Sequence, residues 1–219
     1  MDSETLISIV IVLAIMLLVG FPVHEFAHAF AAYRLGDGTA KLFGRLTLNP
    51  IVHFDPIGGV LLAASFLASQ GAFAFGWAKP TPVNPNNLQG GRQGEAIVAA
   101  AGPLSNLVLA LAGAIPLRFA LANAEIRLNA PLIITVLDLF VRINIILMVF
   151  NLIPIPPLDG SKVLFAALDR QTEYQIRPFL EQYGFLILIA VFFLPPGHSV
   201  GSQVLFPIID GIYGFLVGG

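Results

Sequence analysis

The sequence predicts an all-α polytopic membrane protein of five to six transmembrane helices, with a re-entrant or extended β-hairpin segment after the first helix. Three observations carry that expectation. Hydrophobic residues make up 57% of the 219 positions and charged residues only 11%, with a mean hydropathy of +0.85. A soluble domain carries about 25% charged residues, so lipid rather than water must cover most of this exterior. The apolar residues gather into runs close to the ~20 positions that a helix needs to cross a bilayer. Between the first and second of the longest runs lies a Gly- and Pro-rich stretch whose alternate prolines forbid helix.

Taken in order, the first run covers 5–33. Met-Asp-Ser-Glu precedes it, without the basic residues or small-residue cleavage site of a secretory signal, so an uncleaved span leading into His24 is expected. Residues 38–49 read as strand-like, with Leu42, Leu46 and Leu48 among turn residues. The stretch 57–76 is apolar but rich in Gly, and Phe75-Gly76-Trp77-Ala78-Lys79-Pro80-Thr81-Pro82-Val83-Asn84-Pro85 after it must be extended. Further spans are expected near 95–117, 131–152, 179–194 and 200–217. No repeat interrupts the chain, so 1–219 is expected to be a single integral-membrane domain, with a core at 5–168 and two extra C-terminal spans at 179–217.

The eleven Lys and Arg residues choose between two threadings. If 57–76 crosses the bilayer, they divide almost evenly. If 57–92 dips in and returns, Arg34, Lys41, Arg45, Lys79, Arg92, Lys162, Arg170 and Arg177 share one side, against Arg118 and Arg127, with Arg142 inside a span. The second arrangement obeys the positive-inside rule and puts Asp159 on the side of His28. Lys79 and Trp77 then read as interface anchors. The chain has no cysteine, so any metal site must use His, Asp or Glu. The net charge of −2 argues neither for nor against nucleic acid, and no nucleic-acid partner is expected.

His24-Glu25-Phe26-Ala27-His28 is the H-E-x-x-H pattern. Histidines four apart stand on one helix face, so both imidazoles reach a single ion, and Glu25 is placed to act as a general base. Three ionisable groups within five residues of an apolar span are costly unless they work together. A catalytic zinc site takes three protein ligands and leaves one position open. The third ligand must come from Asp138, Asp159, Asp210 or Glu95. Asp138 has Arg142 four residues on, which favours an ion pair; Asp210 lacks an obvious partner. Asp159 follows three prolines that break a span, and it is the expected ligand, with a helix N-cap as the competing role.

H-E-F-A-H in an early span, with Asn151-Leu152-Ile153-Pro154-Ile155-Pro156-Pro157-Leu158-Asp159-Gly160 after a later one, resembles the site-two proteases, which are intramembrane zinc metalloproteases. Ala101-Gly102-Pro103-Leu104-Ser105-Asn106, Asn49-Pro50 with His53 and Asp55-Pro56, and Gly76-Trp77-Ala78-Lys79-Pro80 resemble further signatures of the compact members without a PDZ domain. The resemblance covers roughly 10–168. It implies one zinc ion per chain held by His24, His28 and Asp159, water activated by Glu25, and Asn106 as a donor near the scissile carbonyl. It also implies Asn151 holding substrate; His53 is a candidate substrate contact or a solvated loop residue. Asn144 reads as a packing residue and His198 as outside the site. The implied substrate is a transmembrane protein or peptide; short loops and the lack of a PDZ, CBS or sensor domain suggest a prokaryotic cell membrane, and the basic side places the site nearer the cytoplasm. Two other readings compete: a membrane metalloprotease working at the aqueous boundary, and a zinc or proton transporter using the same intramembrane residues.

Overall fold

A computed structural model describes residues 3–68, 75–193 and 200–218. His198 lies outside the described residues. Helix α1 (Ser3–Ile15), a π-helical turn (Met16–Gly20) and α2 (Phe21–Arg34) form one continuous rod. The Phe21 N–H reaches back five residues to Met16 O. Pro22, the second residue of α2, has no N–H to donate, so the backbone ladder must be interrupted there, and the wide turn absorbs the interruption.

Short helices α3 (Thr39–Leu42) and α4 (Pro50–His53) lead to α5 (Pro56–Ala68). The strand expected over 38–49 does not form. Gly36 and Gly44 hold positive φ, and Asp37 Oδ1 accepts from both Thr39 N–H and Thr39 Oγ1, which starts a turn of helix instead. An extended arm, 75–84, then runs back along α5. Phe75 N–H donates to Ser65 Oγ, Lys79 N–H donates to His53 O, and Asn84 N–H reaches Asp37 Oδ2. The two arms approach where side chains are missing: a Cβ on Gly58 or Gly76 would run into the backbone of the opposite arm. No strand is assigned among the described residues, so this arm is extended without a ladder.

The second half is built of α6 (Arg92–Ala122), α7 (Ala124–Asn129), α8 (Pro131–Asn151), α9 (Gly160–Ala167), α10 (Arg170–Phe193) and α11 (Val200–Val217). Helix α6 is the hub, packed on α2, α8, α9 and α11. Ala110, Ala114 and Leu117 of α6 meet Val141, Ile145 and Met148 of α8 and Ile209 of α11, while Ile9, Val12 and Ile15 of α1 pack on Ile143 and Leu147. On the outer face of α6, Val108, Ile115 and Phe119 are more than 60% exposed. Bare hydrocarbon of that kind requires lipid.

Three helices are long and apolar enough to cross a membrane: Leu6–Arg34, Arg92–Ala122 and Pro131–Asn151. Pro56–Ala68 and Gln203–Val217 are apolar but shorter. Helix α10 has the length, yet Arg170, Glu173, Arg177 and Glu181 occupy its first half, and Arg177 pairs with both glutamates. The chain is thus an all-helical membrane protein with three candidate spans among the described residues.

Candidate metal centre

Three elements distant in sequence meet at one point. His24 and His28, one turn apart on α2, turn their rings together, with Nε2 atoms 3.0 Å from each other. The turn after α8, broken by Pro154, Pro156 and Pro157, carries Asp159 to them. Asp159 Oδ2 lies 3.1 Å from each Nε2. All three residues are at least nine-tenths buried. The Asp159 side chain makes no hydrogen bond to the start of α9, so its carboxylate does not serve as a helix cap. Its other oxygen stands 4.0 Å from Lys162 Nζ.

The outward hydrogen bonds of the imidazoles bear on which ring nitrogens carry hydrogen. His28 Nδ1 donates to Val98 O at 2.7 Å, and His24 Nδ1 donates to Asn106 Oδ1 at the same distance. A neutral imidazole carries one N–H, so both Nε2 atoms keep a lone pair. With both rings neutral, two nitrogen lone pairs and a carboxylate oxygen converge with no hydrogen between them. Such a cluster repels itself unless a cation sits among its members. Donor separations near 3 Å suit an ion bound at about 2.0–2.2 Å, and two nitrogens with one oxygen are a zinc-type set. Among the described residues, these three are the group of His, Asp and Glu able to hold a metal.

The second-half helix α6 is shaped to admit the rings. A Cβ on Gly102 would fall 2.6 Å from His24 Nε2 and closer still to His28, so only glycine lets the imidazoles lie against the backbone here. Asn106, one turn further along and fully buried, offers its nitrogen to Asn144 Oδ1 at 3.0 Å and to Gly20 O at 3.4 Å. Its amide thus links His24 to Asn144 and to the backbone of Gly20. Glu25 lies next to His24 in the chain but points to the extended arm. Its Oε2 accepts from Thr81 N–H at 2.8 Å, and Thr81 Oγ1 donates to Glu25 O at 2.9 Å.

The remaining candidates are placed elsewhere. Asn151 Nδ2 donates to Leu147 O within its own helix. His53 is 1% exposed, donates from Nε2 to Thr47 O, and leaves Nδ1 without a partner, so it is buried rather than solvated. Of the rival third ligands, Asp138 pairs with Arg142 at 3.0 Å and also accepts from Tyr213 Oη. Asp210 has a partner after all, Arg142 at 3.8 Å, and Glu95 stands 4.0 Å from Arg177. A cavity of about 410 Å³ behind the Asp159 turn, lined in part by Pro156, Lys162 and Phe185, contains none of the three donors. Sequence reasoning did not single out Thr81, which holds Glu25, or Gly102, which lies against both imidazoles.

Residues 119–194 match the model of peptidase family M50, a stretch that includes Asp159 but not the histidine pair. The chain is 38% identical over 208 residues to YwhC of Bacillus subtilis, covering 93% of this chain and 88% of that protein. It is 30% identical over 196 residues to Rip2 of Mycolicibacterium smegmatis, covering 89% and 72%, and 31% identical over 197 residues to Rip2 of Mycobacterium tuberculosis H37Rv, covering 88% and 71%. Each of these relatives is named as a candidate zinc metalloprotease. No solved structure matches the chain.

Proposed function

The chain belongs to peptidase family M50, and from that premise we propose that it is a zinc endopeptidase cutting transmembrane protein substrates within the bilayer. The carrying observation is the convergence of His24 Nε2, His28 Nε2 and Asp159 Oδ2 to 3.0–3.1 Å on the buried face of an apolar helix. These three atoms would hold the metal. Bound zinc supplies a Lewis acid that polarises the scissile carbonyl and makes water a stronger acid.

The protein's residues supply the rest. A Glu25 carboxylate oxygen takes the proton of the attacking water and hands it to the leaving amine. Thr81 holds that carboxylate by its N–H, so the extended arm and the base move as one unit. Asn106 orients His24 through Nδ1, a positioning role, with Val98 O doing the same for His28. Asn151 and His53 are proposed to support the substrate path. The extended arm 75–84 is proposed to line a substrate strand unwound from its own helix, because a carbonyl locked in a helix cannot be attacked.

Depth follows from helix rise. His28 is six residues from Arg34, so the donors lie roughly 9 Å along the helix from its basic end. We place that end at the cytoplasmic face of a prokaryotic membrane, with 57–92 dipping in and returning, and with 1–219 acting as one domain. The test is reconstitution with a single-span substrate. Wild type should cleave it, Glu25→Gln should keep its zinc and lose about 10²–10⁴-fold in rate, and Asp159→Ala should lose zinc. Zinc flux into sealed vesicles, without cleavage, would instead support a transporter and defeat this reading.

A further inference from the structure

Three polar side chains form a line through the helix packing that ends on the metal donors. Asn144 of α8 and Asn106 of α6 are fully buried, and His24 of α2 is 6% exposed. Asn144 Nδ2 donates to Phe140 O at 2.8 Å, Asn144 Oδ1 accepts from Asn106 Nδ2 at 3.0 Å, and Asn106 Oδ1 accepts from His24 Nδ1 at 2.7 Å. An amide has an accepting oxygen and a donating nitrogen, so each link dictates the next. The Phe140 carbonyl can only accept, which turns the Asn144 nitrogen towards it and the oxygen towards Asn106. Asn106 must then give its nitrogen to Asn144 and its oxygen to His24. An oxygen facing Nδ1 requires a proton there, and Nε2 is left with its lone pair towards His28 and Asp159.

The two histidines differ in how firmly this is fixed. His28 donates to Val98 O, a helix carbonyl that cannot change its character. His24 depends on a side-chain amide, and half a turn of that amide would bring –NH₂ against Nδ1. His24 would then carry its hydrogen on Nε2, pointing at the other two donors and blocking metal. Gly20 O, at 3.4 Å from Asn106 Nδ2, is a weak guard against that turn; Asn144 Oδ1 is the strong one.

We infer that Asn144 is a positioning residue which, through Asn106, locks His24 in the metal-binding tautomer. The inference rests on the reading of His24, His28 and Asp159 as metal ligands. It makes Asn144 part of the site although it touches neither metal donor nor substrate.

Zinc affinity of the purified full chain, measured by chelator competition, tests this in two backgrounds. Asn144→Leu, similar in volume but without an acceptor, should weaken zinc binding about 10–100-fold. Asn106→Asp presents an oxygen to His24 whichever way it turns, so adding Asn144→Leu to it should change affinity by less than about threefold. Asn144→Ala carries the same two expectations and serves where the leucine variant does not fold. Equal losses in both backgrounds would mark Asn144 as packing only and overturn the inference, as would wild-type affinity for the single variant. His24→Ala and Asp159→Ala separate the two levels. If they retain zinc, the ligand assignment fails; if they lose it while Asn144→Leu does not, the relay alone fails.

Discussion

Glu25 and Gly102 test the site residue by residue. Glu25→Gln keeps the side-chain volume and an oxygen for Thr81 N–H, yet removes the proposed base, so zinc content should stay at wild type while kcat falls at least about a hundredfold. Metal analysis beside a cleavage assay reads both. Gly102→Ala does the converse: its methyl lands 2.6 Å from His24 Nε2, so the rings must separate, and zinc affinity should drop about tenfold or more in chelator competition. The convergence of His24, His28 and Asp159 was legible because each signal was local. His24 and His28 announce themselves by spacing, and Asp159 by three prolines breaking an apolar run. The work of Asn106 was not legible, because an amide's role depends on which of its two ends faces which neighbour. Its neighbours lie 82 and 38 residues away.

At the level of elements, the extended arm joins Glu25, the proposed base, to the loops at the end of α2. Thr81→Pro deletes the N–H that holds Glu25 and should lower kcat about tenfold with zinc content unchanged, whereas Thr81→Ala keeps that N–H and should cost less. Asp37 anchors the far end of the arm. Burial pushes its carboxyl up, but the Thr39 hydroxyl and the amides of Asn84, Asn87 and Thr39 outweigh it and hold the carboxyl below the usual carboxylate range. A depressed folded-state pKa gives stability that is complete above the unfolded value, near 4, and lost as pH falls through the lower folded one. Asp37→Ala should therefore destabilise by on the order of 3 kcal/mol at pH 7, with the gap to wild type closing below pH 4 in thermal melts. The same carboxylate explains why 38–49 is not the expected strand. Hydrophobic alternation at Leu42, Leu46 and Leu48 suggested a period of two, but the Asp37–Thr39 turn and the positive φ of Gly36 and Gly44 break it. Alternate prolines, by contrast, gave the extended character of 75–84 correctly, since a missing N–H acts whatever the surroundings.

For the whole molecule, threading is the property that decides whether the donors meet inside the membrane. The absence of cysteine makes single-cysteine labelling clean. Thr47→Cys, Gln89→Cys and Thr172→Cys should react with an impermeant thiol reagent from one side, and Glu125→Cys from the other. Labelling of Thr47→Cys and Gln89→Cys from opposite sides would mean that the segment between them crosses. Composition made the membrane class plain, and the three longest spans were readable from hydropathy because lipid imposes length directly. The number of crossings was not readable in that way. The apolar helix Pro56–Ala68 is short, and the charged start of α10 leaves length and hydropathy in conflict. The account as a whole stands on His24, His28 and Asp159 sharing one ion. The most direct measurement is the zinc stoichiometry of the purified wild-type chain and of Asp159→Ala, with folding checked by thermal melt. One zinc per wild-type chain and its loss from a folded Asp159→Ala is the predicted result; a folded variant that still carries a full equivalent of zinc would contradict the account.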